Sequence, residues 1–213
     1  MILCFMEEQF VQIPRTLIKS KNPLSVLTYA IIDNHKTTFP FGTCVDKPVA
    51  FISYNKMLEK YGVNKSSTIK CVDSLKEQGY IDYTQEDSGR YNASMNKNEV
   101  FNKYSFPLIT PIYKNNKIID NKIKIPYVEI PSSVLVSELS SKEKGVLIML
   151  YLLTIDTYDI ILTEEEMAAE LGMTVRTLKK YIKLFISKNY LYKNRYYGFR
   201  KKKDVVMTNI IMD

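Results

Sequence analysis

The stretch GMTVRTLKKYIKL at 172–184 repeats the outline of GVNKSSTIKCVDS at 62–74: a glycine, a short turn, then a helix with one apolar stripe. A repeat constrains a fold more than composition does, because each copy must build the same supersecondary unit. The repetition extends in both directions. FVQIP at 10–14 is echoed by YVEIP at 127–131, each alternating apolar and polar residues into a proline, as a short strand entering a turn does. An apolar helix follows each: PLSVLTYAIID at 23–33, with Pro23 suited to a first turn, and SSKEKGVLIMLYLL at 140–153, with Ser140 or Ser141 as its N-cap.

A second, amphipathic helix starts at Ser53 in SYNKMLEKYG and at Thr163 in TEEEMAAELG. Thr163 and Glu166 form a capping-box pattern, and the three glutamates of the first turn complement the helix dipole. Both helices stop at a glycine, Gly62 or Gly172, the natural residue for a left-handed C-cap. From 52 to 83 the copies align without a gap, yet only Met57, Gly62, Lys70 and Tyr80 are identical to their mates. Matched pattern and order carry the relation. A third helix, about 64–78 and about 174–188, has its stripe at Thr68, Val72 and Leu75 in one copy and Leu178, Ile182 and Phe185 in the other. QGYIDYT at 78–84 and KNYLYKN at 188–194 then close each copy with a turn and a strand.

Helix, helix, short turn, helix, hairpin is the winged helix-turn-helix plan. The expected fold is α+β, two tandem winged helix-turn-helix domains. The first spans 1–106, a linker 107–125, and the second 126–213 with a basic wing. The first copy has a longer connection at 33–51, a polar loop at 85–99 and a returning strand EVFNKYSF at 99–106. The linker reads as extended, with a basic, Asn-rich middle.

The third helix of a winged helix presents its outer face to a DNA major groove. In the second copy the outward positions are Val175, Arg176, Lys179, Lys180 and Lys183. Arg176 suits a bidentate pair with guanine, and the lysines suit phosphates or guanine edges. From Leu171 to Lys203 the chain carries eleven Lys or Arg and no acidic residue. The hairpin after it continues the run: Lys193, Arg195, Arg200, Lys201, Lys202 and Lys203 around a tip centred on Gly198, placed to meet a minor groove or its phosphates. Tyr196, Tyr197 and Phe199 fit packing on the domain better than stacking on bases. In the first copy the outward set is Lys65, Ser66, Ser67, Ile69, Lys70 and Asp73. Three lysines meet three acidic residues between 63 and 83, so the field is neutral. Ser66, Ser67 and Lys70 still suit base or phosphate contacts and Ile69 a thymine methyl. The rival use of this copy is as a dimerisation or partner-binding module.

Composition agrees with a polyanionic partner. The 213 residues carry a formal net charge of +7, with 46% hydrophobic and 25% charged residues, the balance of a globular protein. Cys4, Cys44 and Cys71 are scattered, which fits a reducing cytoplasm better than a disulfide framework. The apolar opening MILCFMEEQF is neither a signal peptide nor a membrane span, and GVLIMLYLLTI at 145–155 is too short to span and reads as a buried core helix. None of the seven glycines forms a phosphate-cradling motif. His35 stands alone in a loop and reads as solvated, and the cysteines lack zinc spacing. The expectation is a binder with no catalytic residues, cofactor, metal site or membrane contact.

FVQIPRTLIKSKNPLSVLTYAIIDNHK followed by FISYNKMLEKYGVNKSSTIKCVDSLKEQGYIDY resembles the N-terminal winged-helix domain of replication initiators from low-GC Gram-positive plasmids and phages. The YVEIP start and the duplication also resemble iteron-binding initiators of theta-replicating plasmids, which use two winged helices. The resemblance covers 10–83 and, by pattern, 127–194. It implies binding to repeated sites at an origin, help in opening it, and recruitment of host replication proteins. It assigns DNA contacts to Lys65, Ser66, Ser67 and Lys70, and to Arg176, Thr177, Lys179 and Lys180. A transcriptional regulator of a mobile element needs the same parts, and an adaptor whose winged helices face protein is the reading of a different class.

Overall fold

In the computed structural model, which describes residues 9–37, 48–92, 97–114, 117–123, 125–154, 159–193 and 197–199, strand β1 (Phe10–Pro14) leads through a 3-10 turn at Arg15–Ser20 into helix α1 (Pro23–Asn34). Pro23 opens α1 and Asn22 caps it by accepting from the Leu24 amide. Short strands β2 (Lys36–Thr37) and β3 (Val49–Phe51) precede helices α2 (Tyr54–Tyr61) and α3 (Lys65–Glu77). A long hairpin follows, β4 (Asp82–Asn92) and β5 (Lys97–Ser105), then a second one, β6 (Ile109–Lys114) and β7 (Lys117–Ile123). Strand β8 (Tyr127–Pro131) enters helix α4 (Ser141–Leu152), capped at Ser140 by a full capping box with Glu143. Strand β9 (Asp159–Ile160), helices α5 (Glu164–Leu171) and α6 (Val175–Ser187), and strands β10 (Leu191–Lys193) and β11 (Tyr197–Phe199) complete the mixed α and β architecture.

The repeat is visible in backbone detail. α2 and α5 are both 8 residues long, and α3 and α6 both 13. Gly62 (φ 73°) and Gly172 (φ 65°) end the shorter helices in the left-handed conformation. Gly79 and Asn189 take positive φ at the matching place after the longer ones. The next amides also match: Tyr80 donates to the Leu75 carbonyl and Tyr190 to that of Phe185. Strand order agrees too, with β5 lying between β3 and β4 as β11 lies between β9 and β10.

The two halves are joined by their own repeated motifs. β1 pairs antiparallel with β8 in the register Phe10↔Pro131, Gln12↔Glu129, Pro14↔Tyr127. The first residue of each motif therefore faces the last of the other, and a local two-fold axis passes through the Gln12–Glu129 pair. Helices α1 and α4 pack against each other beneath this ribbon, and both are buried nearly all round. At Gly145 they approach closely, since a Cβ there would lie 2.1 Å from the Pro23 carbonyl oxygen. Val11, Ile13, Leu27 and Ile31 from the first half share one hydrophobic cluster with Ile130, Val146, Leu147 and Leu150 from the second. The Arg15 guanidinium donates to the Leu152 and Thr154 carbonyls at the end of α4, closing a further link between halves.

Four expectations change. The stretch 85–99, read as a polar loop, is mostly strand: β4 and β5 pair from Asp82↔Ser105 to Asn92↔Lys97, with a register shift between Asp87 and Tyr91. The segment QEDSGRYNASMNKNE has no apolar alternation to reveal it. The segment 107–125, read as an extended linker, is a hairpin paired from Ile109↔Ile123 to Lys114↔Lys117. Gly198 is not at a hairpin tip but inside β11, opposite both Tyr192 and Asp159. His35 is not simply solvated: its Nε2 lies 2.8 Å from the Tyr61 hydroxyl, and the Tyr61 ring stands edge-on to it. Burial, with Lys60 and Lys56 nearby, lowers the His35 pKa.

Candidate nucleic-acid interface

α6 exists as a helix because Thr174 caps it, accepting from the Thr177 amide at 3.2 Å, and because Leu178, Ile182 and Phe185 bury along one stripe. The stripe fixes what faces out. Arg176, Thr177, Lys179, Lys180 and Lys183 are exposed on the opposite side. Thr177 Oγ1 also lies 2.9 Å from Thr174 Oγ1, so its hydroxyl is tied to the cap. Val175, expected to face outward, is half-buried against the core, because the first helical residue here still lies over the apolar stripe.

The basic residues of this face fall into two sets. Arg176, Lys180 and Lys183 make no ion pair among the described residues. Lys179 and Lys193 do: their ammonium groups lie 3.1 and 3.5 Å from the two carboxylate oxygens of Glu164, at the start of α5. Glu164 was expected only to complement the helix dipole. Its neighbour Glu166 does serve the cap: it accepts from the Thr163 amide at 2.8 Å, a bond that lowers its carboxyl pKa. β10 presents Lys193 and is steadied by the Tyr192 hydroxyl donating to Asp159 at 3.1 Å. Arg195, Tyr196, Arg200, Lys201, Lys202 and Lys203 lie outside the described residues.

In the first half, α3 is capped by Asn64, whose Oδ1 accepts from the Ser66 amide, the Ser67 amide and the Ser66 hydroxyl. The Ser66 hydroxyl proton is therefore already used. Lys65, Ser66 and Lys70 are exposed, whereas Ser67 and Ile69 are half-buried. Farther along, charge cancels locally. Lys76 pairs with Asp82 at 2.9 Å and lies over the Tyr83 ring, and the Tyr83 hydroxyl donates to Asp73 at 3.3 Å. Among the described residues, the lysines of α3 that make no ion pair, Lys65 and Lys70, lie in its N-terminal half.

Each helix pair is held from across the pseudo-two-fold. The Ser141 hydroxyl donates to the Gly62 carbonyl at 2.9 Å, and the buried Lys144 ammonium to that of Tyr61 at 3.3 Å. The start of α4 thus grips the turn between α2 and α3. Correspondingly, the turn at Gly172 packs on Lys21, just before α1, where a Cβ would come within 2.8 Å of the lysine stem. These contacts tie the turn before each third helix to the opposite half. Sequence reading missed them because they join residues far apart in the chain.

No group of His, Cys, Asp and Glu suited to a metal ion occurs among the described residues, and none of their helices is long and apolar enough to cross a membrane. A shallow depression of about 380 Å³ is lined by Gln9, Phe10, Gln12, Asp33, Asn34 and Lys36, none of them on α3 or α6. No protein-family model matches the chain, and no curated protein or solved structure matches it.

Proposed function

We propose that the protein binds double-stranded DNA sequence-specifically through two winged helix-turn-helix units, with α6 as the principal reader. The observation that carries this reading is the exposed set Arg176, Lys180 and Lys183, which make no ion pair among the described residues, on a helix whose opposite face buries Leu178, Ile182 and Phe185. An arginine near the helix start suits a guanine edge, and lysines a turn apart suit phosphates along the groove. The shared strand order of the two units supports the winged plan.

The local two-fold adds a geometric requirement. Two recognition helices related by a dyad meet one duplex at half-sites about one helical turn apart, roughly 34–36 Å. One chain would then act as its own dimer, reading an interrupted, imperfect inverted repeat. The half under α6 would supply most of the electrostatic grip and the half under α3 less. We assign the protein the role of a replication initiator of a plasmid or phage, on the resemblance of its first half; this role needs several such sites at an origin and host replication proteins as further partners. The neutral far half of α3, with its Lys76–Asp82 pair, favours a protein contact for that part of the first unit.

Duplex binding titrated against salt tests the reading. The observed association constant should fall with salt with a log–log slope of about −3 or steeper, one phosphate contributing about −0.9. No duplex binding at low salt, or an affinity indifferent to salt, would remove it.

A further inference from the structure

We infer that Glu164 is a built-in counter-ion: it holds Lys179 and Lys193 together as the seat of one DNA backbone phosphate and weakens that seat for unrelated duplex. The inference rests on the duplex-binding reading and concerns how that face discriminates.

Glu164 connects three elements. Its carboxylate sits at the first residue of α5, its Oε2 lies 3.1 Å from Lys179 on α6, and its Oε1 lies 3.5 Å from Lys193 at the end of β10. One carboxylate dividing its two oxygens between two ammonium groups presents the same fork as the two non-bridging oxygens of a phosphodiester. Lys179 and Lys193 are 53% and 56% exposed, while Glu164 is 21% exposed. An anion therefore reaches both lysines from the solvent side without the fold opening, and the carboxylate waits beneath them.

The first repeat serves as an internal control. The residues matching Glu164, Lys179 and Lys193 are Tyr54, Ile69 and Tyr83, none of which carries a charge at neutral pH. The acid is thus missing from the unit that lacks the two lysines. Among the three glutamates at the start of α5, Glu166 is committed to the cap and Glu165 makes no ion pair among the described residues, so only Glu164 faces the lysines.

The energetic consequence is discrimination. A phosphate entering the seat must displace two ion pairs and tolerate a carboxylate close by, so it gains less there than at Lys180 or Lys183. Loose, register-free complexes with arbitrary duplex are penalised. A complex held in register by Arg176 at a base edge fills the seat anyway.

The test is Glu164→Gln in the full chain, measured against a duplex selected from a random pool and against an unrelated duplex of equal length, across a salt series. The variant should bind the unrelated duplex about three- to tenfold more tightly, with a salt slope steeper by about 1, as one freed phosphate contact requires. The selected duplex should change less, so the specificity ratio falls. Adding Lys179→Gln and Lys193→Gln to the variant should erase the gain. Unchanged or weaker binding by Glu164→Gln, with wild type binding normally, overturns the inference and leaves duplex binding standing. Absence of duplex binding by both proteins overturns both. If Glu164→Gln does not fold, Lys179→Gln with Lys193→Gln in the wild-type background decides: the salt slope must become shallower by about 1, and an unchanged slope overturns the proposal.

Discussion

Arg176 and Lys180 stand one turn apart on α6, and their chemistry separates what each should do. Arg176→Ala should cost about 1–3 kcal/mol of specific binding and relax the preference at one base pair, because a bidentate contact carries sequence information. Lys180→Ala should weaken all duplexes alike and make the salt slope shallower by about 1. Competition binding against a panel of single-base variants distinguishes the two. His35 makes a different kind of statement. Burial and the nearby Lys60 and Lys56 lower its pKa, so the folded protein prefers the neutral ring. The unfolded chain then binds more protons just below the usual imidazole value of about 6.5, and stability is lost as pH falls from there through the folded value. Thermal melts should drop more for wild type than for His35→Gln between pH 7 and pH 5. An equal drop would show that folding leaves the His35 ring as easily protonated as it is in the unfolded chain.

At the scale of elements, the helices hang on caps and on one tight crossing. Thr163→Ala removes an N-cap that bonds the Glu166 amide and should destabilise by about 1 kcal/mol, read by denaturant unfolding. Gly145→Ala forces a methyl group into the Pro23 backbone and should cost about 1–3 kcal/mol or more through overpacking, although alanine is the better helix former. The helices were legible in the sequence because their signals are local: Thr163, Gly62 and Gly172 mark ends, and Leu178, Ile182 and Phe185 mark a face. The pairing of β1 with β8 was not, since alternation in FVQIP and YVEIP shows that each is a strand and says nothing of its partner. The hairpin over 82–105 escaped in part because QEDSGRYNASMNKNE lacks an apolar period, and that over 109–123 because neither strand shows its partner. Glu164 was visible as an acid in a first turn, but only folding brings Lys179 and Lys193 to it.

At the scale of the whole molecule, the repeat is used twice, once to build each helix pair and once to join the two halves. The symmetric β1–β8 register and the packing of α1 on α4 join the two halves within a single chain; on the proposed reading they replace the two-fold that most helix-turn-helix readers obtain by dimerising. The cross-links from Ser141 and Lys144 to the turn before α3 make that arrangement stiff. Stiffness should appear as intolerance of spacing: inserting about half a helical turn between the half-sites should abolish the contribution of the weaker one, since the heads then face opposite sides of the duplex. The most direct test of the central claim is selection of bound duplexes from a random DNA pool, followed by footprinting of the winner. The account expects an interrupted, imperfect inverted repeat with half-sites about one turn apart, protected unequally. Enrichment of no sequence, or of one uninterrupted half-site protected on its own, would contradict it.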